Sequence, residues 1–267
     1  SLVKSKSGER GIFNREAAKK QVAKYGKRNP DYEFGCNPCS EILLRDAQFC
    51  NLTEVIVRST DELADLLRKA KVATIIGTIQ ATMTNFQFLS EEWKRNCEEE
   101  RLLGVSLTGI YDHHVLKNAN EECAIWLERM REYTNEINKV YAENMGINAA
   151  AITCVKPSGT VSQLVNCASG IHPRHAMHYI RNIRMDKKDP MCQYLIDQGV
   201  YNEPDYSYPD SVVVFSFPQF APDGAVTRND ITAVEHLELW LHYQRHWAEH
   251  KPSVTINVDD HEWPEVG

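Results

Sequence analysis

The run Phe34-Gly35-Cys36-Asn37-Pro38-Cys39-Ser40-Glu41-Ile42 brings two thiols, a carboxamide and a carboxylate together, and a third thiol, Cys50, follows in Phe49-Cys50-Asn51-Leu52. Three chemistries use such a set. Cys36 and Cys39, in C-x-x-C spacing, read as a thioredoxin-like pair, although that motif belongs at a strand-to-helix junction and Glu41 raises a nearby thiol's pKa. The same spacing is half of a zinc site; with no second C-x-x-C in the chain, the other ligands would be histidines such as His172, His175 and His178. The third is radical chemistry on a sugar. One group abstracts hydrogen from carbon, one takes a hydroxyl proton, one orients the hydroxyls, and a nearby thiol supplies reducing equivalents.

A second stretch is suited to an anion. After the apolar run Ala149 to Val155 comes Lys156-Pro157-Ser158-Gly159-Thr160-Val161. Pro157 stops a strand, Ser158 and Thr160 offer hydroxyls, and Gly159 lets the backbone approach. The N–H groups at the start of the following helix favour negative charge, and Lys156 adds to it. By itself a Ser-Gly-Thr turn before a helix is an N-cap, and the GxxxxGK[ST] pattern of a P-loop is absent. His242, His246 and His250 recur every four residues, but Leu237, Leu239, Leu241, Tyr243 and Trp247 make theirs a packing helix, and no HExxH pattern is present. No metal ligands are assigned. The five tryptophans, at 93, 126, 240, 247 and 263, read mostly as core anchors.

The elements that must position these groups follow from periodicity and punctuation. The spacing predicts helices over 15–25, ended by Gly26; from Thr60 through Ile75; over 90–103, stopped by Gly104; over 119–145, closed by Gly146; and over 230–250. Residues 30–53 read as an ordered loop flanked by short extended segments. Strands are expected over 149–155, 178–185, 212–217 and 254–258. Strands alternating with long helices favour an α/β architecture whose strands are largely parallel and buried on both faces.

The 267 residues, 42% hydrophobic, are enough for a sizeable core. A net charge of -7 argues against general affinity for nucleic acid, because no basic excess exists to release phosphate counterions. No apolar run approaches the roughly 20 residues of a membrane span, and no apolar signal segment follows Ser1, so a cytoplasmic setting with eight reduced cysteines is expected. The start on Ser1 rather than Met suggests a piece of a longer protein.

Asn37-Pro38-Cys39-Ser40-Glu41 with Cys50 downstream resembles the finger-loop motif of ribonucleotide reductase catalytic chains. The Pro between Asn and Cys, and the spacing to Cys50, are similar to the adenosylcobalamin-dependent (class II) monomeric ribonucleoside-triphosphate reductases. Thr153 to Ser162, followed by Ser169-Gly170-Ile171-His172-Pro173, looks like the substrate-phosphate segment of the same enzymes, and the likeness begins at Ser7. The resemblance implies reduction of ribonucleotides to 2′-deoxyribonucleotides, with triphosphates favoured by the monomeric-type spacing. Cys39 would carry the thiyl radical, Glu41 would act as base, Asn37 would orient the ribose hydroxyls, and Cys50 would be half of a redox-active disulfide. Pro157, Ser158, Gly159, Thr160 and Val161 would bind the substrate phosphates. Cys36 is left as a spectator thiol.

The implied fold is a ten-stranded α/β barrel with a central finger loop. Residues 1–267 would be an incomplete C-terminal portion of it, with the finger loop at about 34–53 and the phosphate turn at about 156–162. The implied cofactor is adenosylcobalamin. The implied partners are a ribonucleotide, a nucleotide effector bound outside this segment, the remainder of the reductase chain and an external dithiol such as thioredoxin, with no nucleic acid and no membrane. A chain lacking the upstream thiol, effector region and C-terminal shuttle cysteines is not expected to turn over alone. The competing reading is a non-catalytic C-x-x-C/His zinc module.

Overall fold

Asn14 opens the first helix by accepting the Ala17 N–H on its side chain, and Gly26, with φ of 63°, closes it, so α1 spans Arg15–Tyr25. This computed structural model describes residues 11–266; the start of the motif run at Ser7 lies outside them. Two residue pairs then form a small hairpin, β1 (Gly35–Cys36) and β2 (Leu43–Leu44), antiparallel, with the Asn37 to Ile42 loop between them.

Three parallel strands carry the larger unit: β3 (Leu52–Ile56), β4 (Leu102–Thr108) and β5 (Ala150–Cys154), in the order β3-β4-β5. Helices α2 (Leu63–Gln80) and α3 (Glu91–Glu100) connect the first two strands, and α4 (Glu121–Met145) connects the last two. Register places Leu52, Gly104 and Ile152 on one row and Glu54, Ser106 and Cys154 on the next of the same face, because alternate residues of a strand share a face. The opposite face lies under the helices: a Cβ on Gly77 of α2 would stand 2.1 Å from Leu103 Cδ1.

The expected third helix ends three residues early. Arg101 turns left-handed, with φ of 53°, and Leu102 to Thr108 form a strand buried along its whole length. Gly104 is therefore a sheet-centre glycine, not a helix stop; its missing side chain admits neighbours from both flanking strands. The helix-period reading failed because a strand covered on both faces shows no alternation.

Next come α5 (Val161–Leu164) and, in a second unit of residues 173–231, the strands β6 (His178–Asp186), β7 (Asn202–Pro204) and β8 (Val212–Phe220) with helix α6 (Pro190–Asp197). The order is β6-β8-β7 and all pairings are antiparallel, so the expectation of largely parallel strands holds only for the first unit. Its core joins Cys192, Val213 and Phe215 with Met185, Leu195, Val200 and Phe217.

Back in the first unit, α7 (Ala233–His246) stops short of the expected His250. The chain instead runs along the edge of β5: Glu249 N–H donates to Thr153 O at 2.8 Å and Ser253 N–H to Val155 O at 2.8 Å. No strand forms over 254–258. A single parallel bridge joins Val155 and Pro252; Pro252 has no N–H to extend it, and the Thr255 N–H goes to His172 Nε2 at 2.9 Å. A last turn, α8, covers Trp263–Val266, where Trp263 is 57% exposed; of the tryptophans, Trp247 is the one fully buried. The architecture is mixed α/β in three sheets among the described residues, without a ten-stranded barrel. No helix among them is long and apolar enough to cross a membrane.

Candidate active site

The Asn37 to Ile42 loop is built as a tight tip. Asn37 N–H donates to Ile42 O at 3.2 Å, Ser40 N–H to Asn37 O at 2.9 Å, and Ile42 N–H to Asn37 Oδ1 at 3.0 Å. Ser40 adopts φ of 58° to close it. The result buries Asn37 and Glu41 and leaves Cys36 and Cys39 exposed. Asn37 Oδ1 is therefore spent inside the loop.

The loop base is clamped at Leu43. Its N–H donates to His250 Nδ1 at 3.1 Å and its carbonyl accepts from Arg28 Nη1 at 2.5 Å. Arg28 in turn makes a two-pronged ion pair with Glu100, at 3.0 and 2.8 Å, almost wholly buried. Lys251 Nζ donates to Ser40 Oγ at 2.7 Å at the tip.

The loop rests on the free face of the parallel sheet. A Cβ on Gly104 would meet Leu52 Cδ2 at 2.4 Å, Ile42 Cδ1 at 3.0 Å and Cys154 Sγ at 3.3 Å, so this glycine is the floor on which the loop's Ile42 sits. Ile42, Leu102, Ile152 and Cys154 form one apolar cluster with Leu44, Cys50 and Leu52 packed against it. A cavity of about 360 Å³ borders Cys50 on its other side, with Phe49, Phe86, Met83 and Arg101 among its walls.

Electrostatics keep these sulfurs protonated. Burial and then the Glu41 carboxylate push the Cys39 thiol up, with Lys156 opposing. The same influences, burial first, push Cys50 up to about 12, and Cys154, sealed in the sheet, goes well above the ordinary thiol range. All eight cysteines are free thiols.

Beyond β5, residues 156–160 turn into α5, with Ser162 N–H donating to Ser158 O at 3.3 Å. Ser158 is 1% exposed, yet its hydroxyl has no partner. Glu41 Oε2 is likewise buried without a hydrogen-bond partner. Pro157, Gly159, Thr160 and Val161 are exposed around Ser158. Lys156 goes elsewhere, to Glu54 Oε2 at 3.2 Å.

The structure thus brings Asn37, Cys39, Glu41 and Cys50 to one sheet face, near Lys156. Two further groups there, Glu54 and Cys154, were missed by sequence reading. Glu54 carried a signal: alternation places this charge with Leu52 and Ile56 on a face that should be apolar. Two of these histidines have specific partners. His172 bridges Ser169 O and the Thr255 N–H, each at 2.9 Å, and His246 meets Glu128 at 2.9 Å. Among the described residues no group of three or more His, Cys, Asp and Glu is arranged to hold a metal ion, and the zinc-module reading finds no support.

Comparison with known proteins follows the same line. No family model matches the chain. It is 30% identical to the adenosylcobalamin-dependent ribonucleoside-triphosphate reductase of Euglena gracilis over 86% of its own length and 32% of that protein's. It is 30% identical to a probable enzyme of that name from Dictyostelium discoideum, over 85% and 29% of the respective lengths. The corresponding reductase of Lactobacillus acidophilus is 27% identical over 97% and 39%. Among solved structures, a B-12 dependent (class II) ribonucleotide reductase superposes with a TM-score of 0.70 at 22% identity, over 87% of this chain and 36% of that one, a likeness of fold. The chain is homologous to the adenosylcobalamin-dependent ribonucleoside-triphosphate reductases over most of its length, and spans between 29% and 39% of theirs.

Proposed function

We propose that this chain, a homologue of those reductases, is the part of such an enzyme that carries the reacting residues, and that it serves the reduction of ribonucleoside triphosphates to 2′-deoxyribonucleotides. The observation that carries the reading is the seating of the Asn37 to Ile42 loop on the Gly104 floor, with Cys39 at its exposed tip and Cys50 beside it.

In this reading Cys39, as a thiyl radical, takes hydrogen from C3′ of the ribose and returns it at the end. An upward-shifted thiol suits that task, because the sulfur must hold hydrogen rather than ionise at neutral pH. The unsatisfied Glu41 oxygen takes the 3′-hydroxyl proton. Asn37, its Oδ1 engaged by Ile42, offers its Nδ2 donors to a ribose hydroxyl. As the 2′-hydroxyl leaves as water, Cys50 and a second sulfur give up their hydrogens and join as a disulfide. The cavity beside Cys50 leaves room for that sulfur, which comes from the remainder of the reductase chain. Ser158, with Pro157, Gly159, Thr160 and Val161, receives the phosphates.

The group on this chain that fits adenosylcobalamin is the exposed Cys39 sulfur, open to a radical formed beside it. When bound, the cofactor supplies the radical equivalent. The segment, residues 1–267 with finger loop about 34–53 and phosphate turn about 156–162, is the C-terminal portion of a ten-stranded barrel. The remainder of the chain binds the effector, a thioredoxin-like dithiol restores Cys50, and the setting is cytoplasmic. The test is Cys39→Ser in the full-length reductase carrying this segment, assayed with ribonucleoside triphosphate, adenosylcobalamin and a dithiol. Loss of deoxyribonucleotide formation with unchanged thermal melting is expected; retained turnover overturns the proposal.

A further inference from the structure

The Glu54–Lys156 pair is not explained by the fold. Its side chains are 7% and 19% exposed, and the ammonium stands 3.2 Å from Glu54 Oε2. Neither Glu54 oxygen has an aligned hydrogen bond. A buried ion pair without completing hydrogen bonds returns less than its desolvation costs, so stability alone does not account for it. Its location is informative. Glu54 shares a row with Ser106 and Cys154, on the face where Ile42 of the loop sits. Lys156 lies two residues beyond Cys154 on chain that stays extended through the Val155 bridge, and alternation returns its side chain to that face. The Lys156 N–H donates to Ser106 Oγ at 2.9 Å, fixing the backbone there.

We propose that Glu54 and Lys156 form a second charge pair of the site, in which Glu54 is a positioning residue that holds the Lys156 ammonium on the sheet face shared with Cys39 and Glu41, and the ammonium offsets negative charge arising there. The assignment to a reacting site rests on the reductase reading above. The charge relationship itself does not, and this chain suffices to test it. Lys156 is felt at Cys39, Cys50 and Cys154, each time against the upward push of Glu41.

The test is the pH profile of Cys39 alkylation by iodoacetamide between pH 7 and 10, with the modified cysteine located by mass spectrometry. Groups acting on Cys39 are Glu41 on its own loop and Lys156 from the sheet, with Cys50 coupled to it; Lys251, bonded to the neighbouring Ser40, acts on Cys36. One unit of thiol pKa changes the alkylation rate about threefold, because a tenfold change in thiolate is half offset by nucleophilicity. Lys156→Met is expected to slow Cys39 alkylation, Lys156→Arg to restore it, and Glu54→Gln, which releases the ammonium from that face, to slow it as well.

A merely structural pair predicts something else: both single variants loosen the fold and accelerate labelling together. Faster labelling in either single variant, no shift, or failure of Lys156→Arg to restore the rate overturns the proposal. Should Glu54→Gln not fold, the Met and Arg variants at Lys156 decide alone. These outcomes are separate from Cys39→Ser turnover, so the failure of either reading is distinguishable from failure of the other.

Discussion

Asn37 Oδ1 accepts the Ile42 N–H at 3.0 Å across the loop that carries Cys39. The side chain read from sequence as a ribose ligand is thus also the brace of its own loop. Asn37→Ala leaves a buried N–H unsatisfied and is expected to cost about 1–3 kcal/mol. Asn37→Asp keeps an acceptor and should retain most of that. Urea unfolding of the two variants separates them; equal stability would show that the brace contributes nothing.

Gly104 is expected to tolerate no side chain. An alanine Cβ would sit 2.4 Å from Leu52 Cδ2 and 3.0 Å from Ile42 Cδ1, both in a packed cluster. Gly104→Ala should lose about 1–3 kcal/mol through overpacking and lift the loop off the sheet. The second effect is read as faster alkylation of Cys50. Wild-type Cys50 reactivity in a destabilised variant would mean that the loop does not rest on this glycine.

His250 should make the protein sensitive to acid. Burial first, then the Arg28 and Lys27 charges, hold its pKa well below the ordinary 6.5, and its Nδ1 must be unprotonated to accept the Leu43 N–H. The unfolded chain takes up the proton near 6.5, so this stability is present above that pH and is lost as pH falls. The loss approaches about 1.4 kcal/mol per pH unit for one proton. His113, His172, His236 and His242 are pushed the same way, so the wild-type slope is the sum of several. His250→Gln, which keeps an acceptor, should lower the slope between pH 6.5 and 5 by one proton's worth in denaturant titrations. An unchanged slope contradicts this.

Ser158 separates binding from folding. Its hydroxyl is buried and unpartnered, so Ser158→Ala should leave the melting temperature of this chain unchanged or raise it. If the turn receives phosphate, the full-length reductase bearing the substitution should show KM raised roughly 10- to 100-fold, the equivalent of one charge-assisted hydrogen bond. A fall in stability with unaltered KM would make the hydroxyl structural.

Much of the local structure was written in the sequence. Asn14 and Gly26 bound the first helix where a cap and a stop were expected, Gly146 closes the long helix, and the turn after Cys154 leads into a short helix as its Pro-Ser-Gly-Thr run required. These signals are local, being carried by φ preference and side-chain capping within a few residues. The order of thiol, carboxamide and carboxylate side chains along the Asn37 to Ile42 loop was equally legible, because a motif is a linear object.

The arrangement of those groups was not legible. Leu102 and Leu103 looked like the end of a helix, and only pairing with β3 and β5 makes Leu102 to Thr108 the central strand. Residues 254–258 looked like a strand, but hydrogen-bond donors are allotted by neighbours: Pro252 has none and Thr255 gives its own to His172. Glu54 and Cys154 entered the site through strand register, which relates residues a hundred apart and leaves no trace in local spacing. The sequence by itself determined which groups are present and where helices cap and turns break, since those depend on neighbours in the chain. The tertiary structure decided which charge stands under Cys39 and which glycine carries the loop, because burial and pairing energies depend on what lies across the sheet.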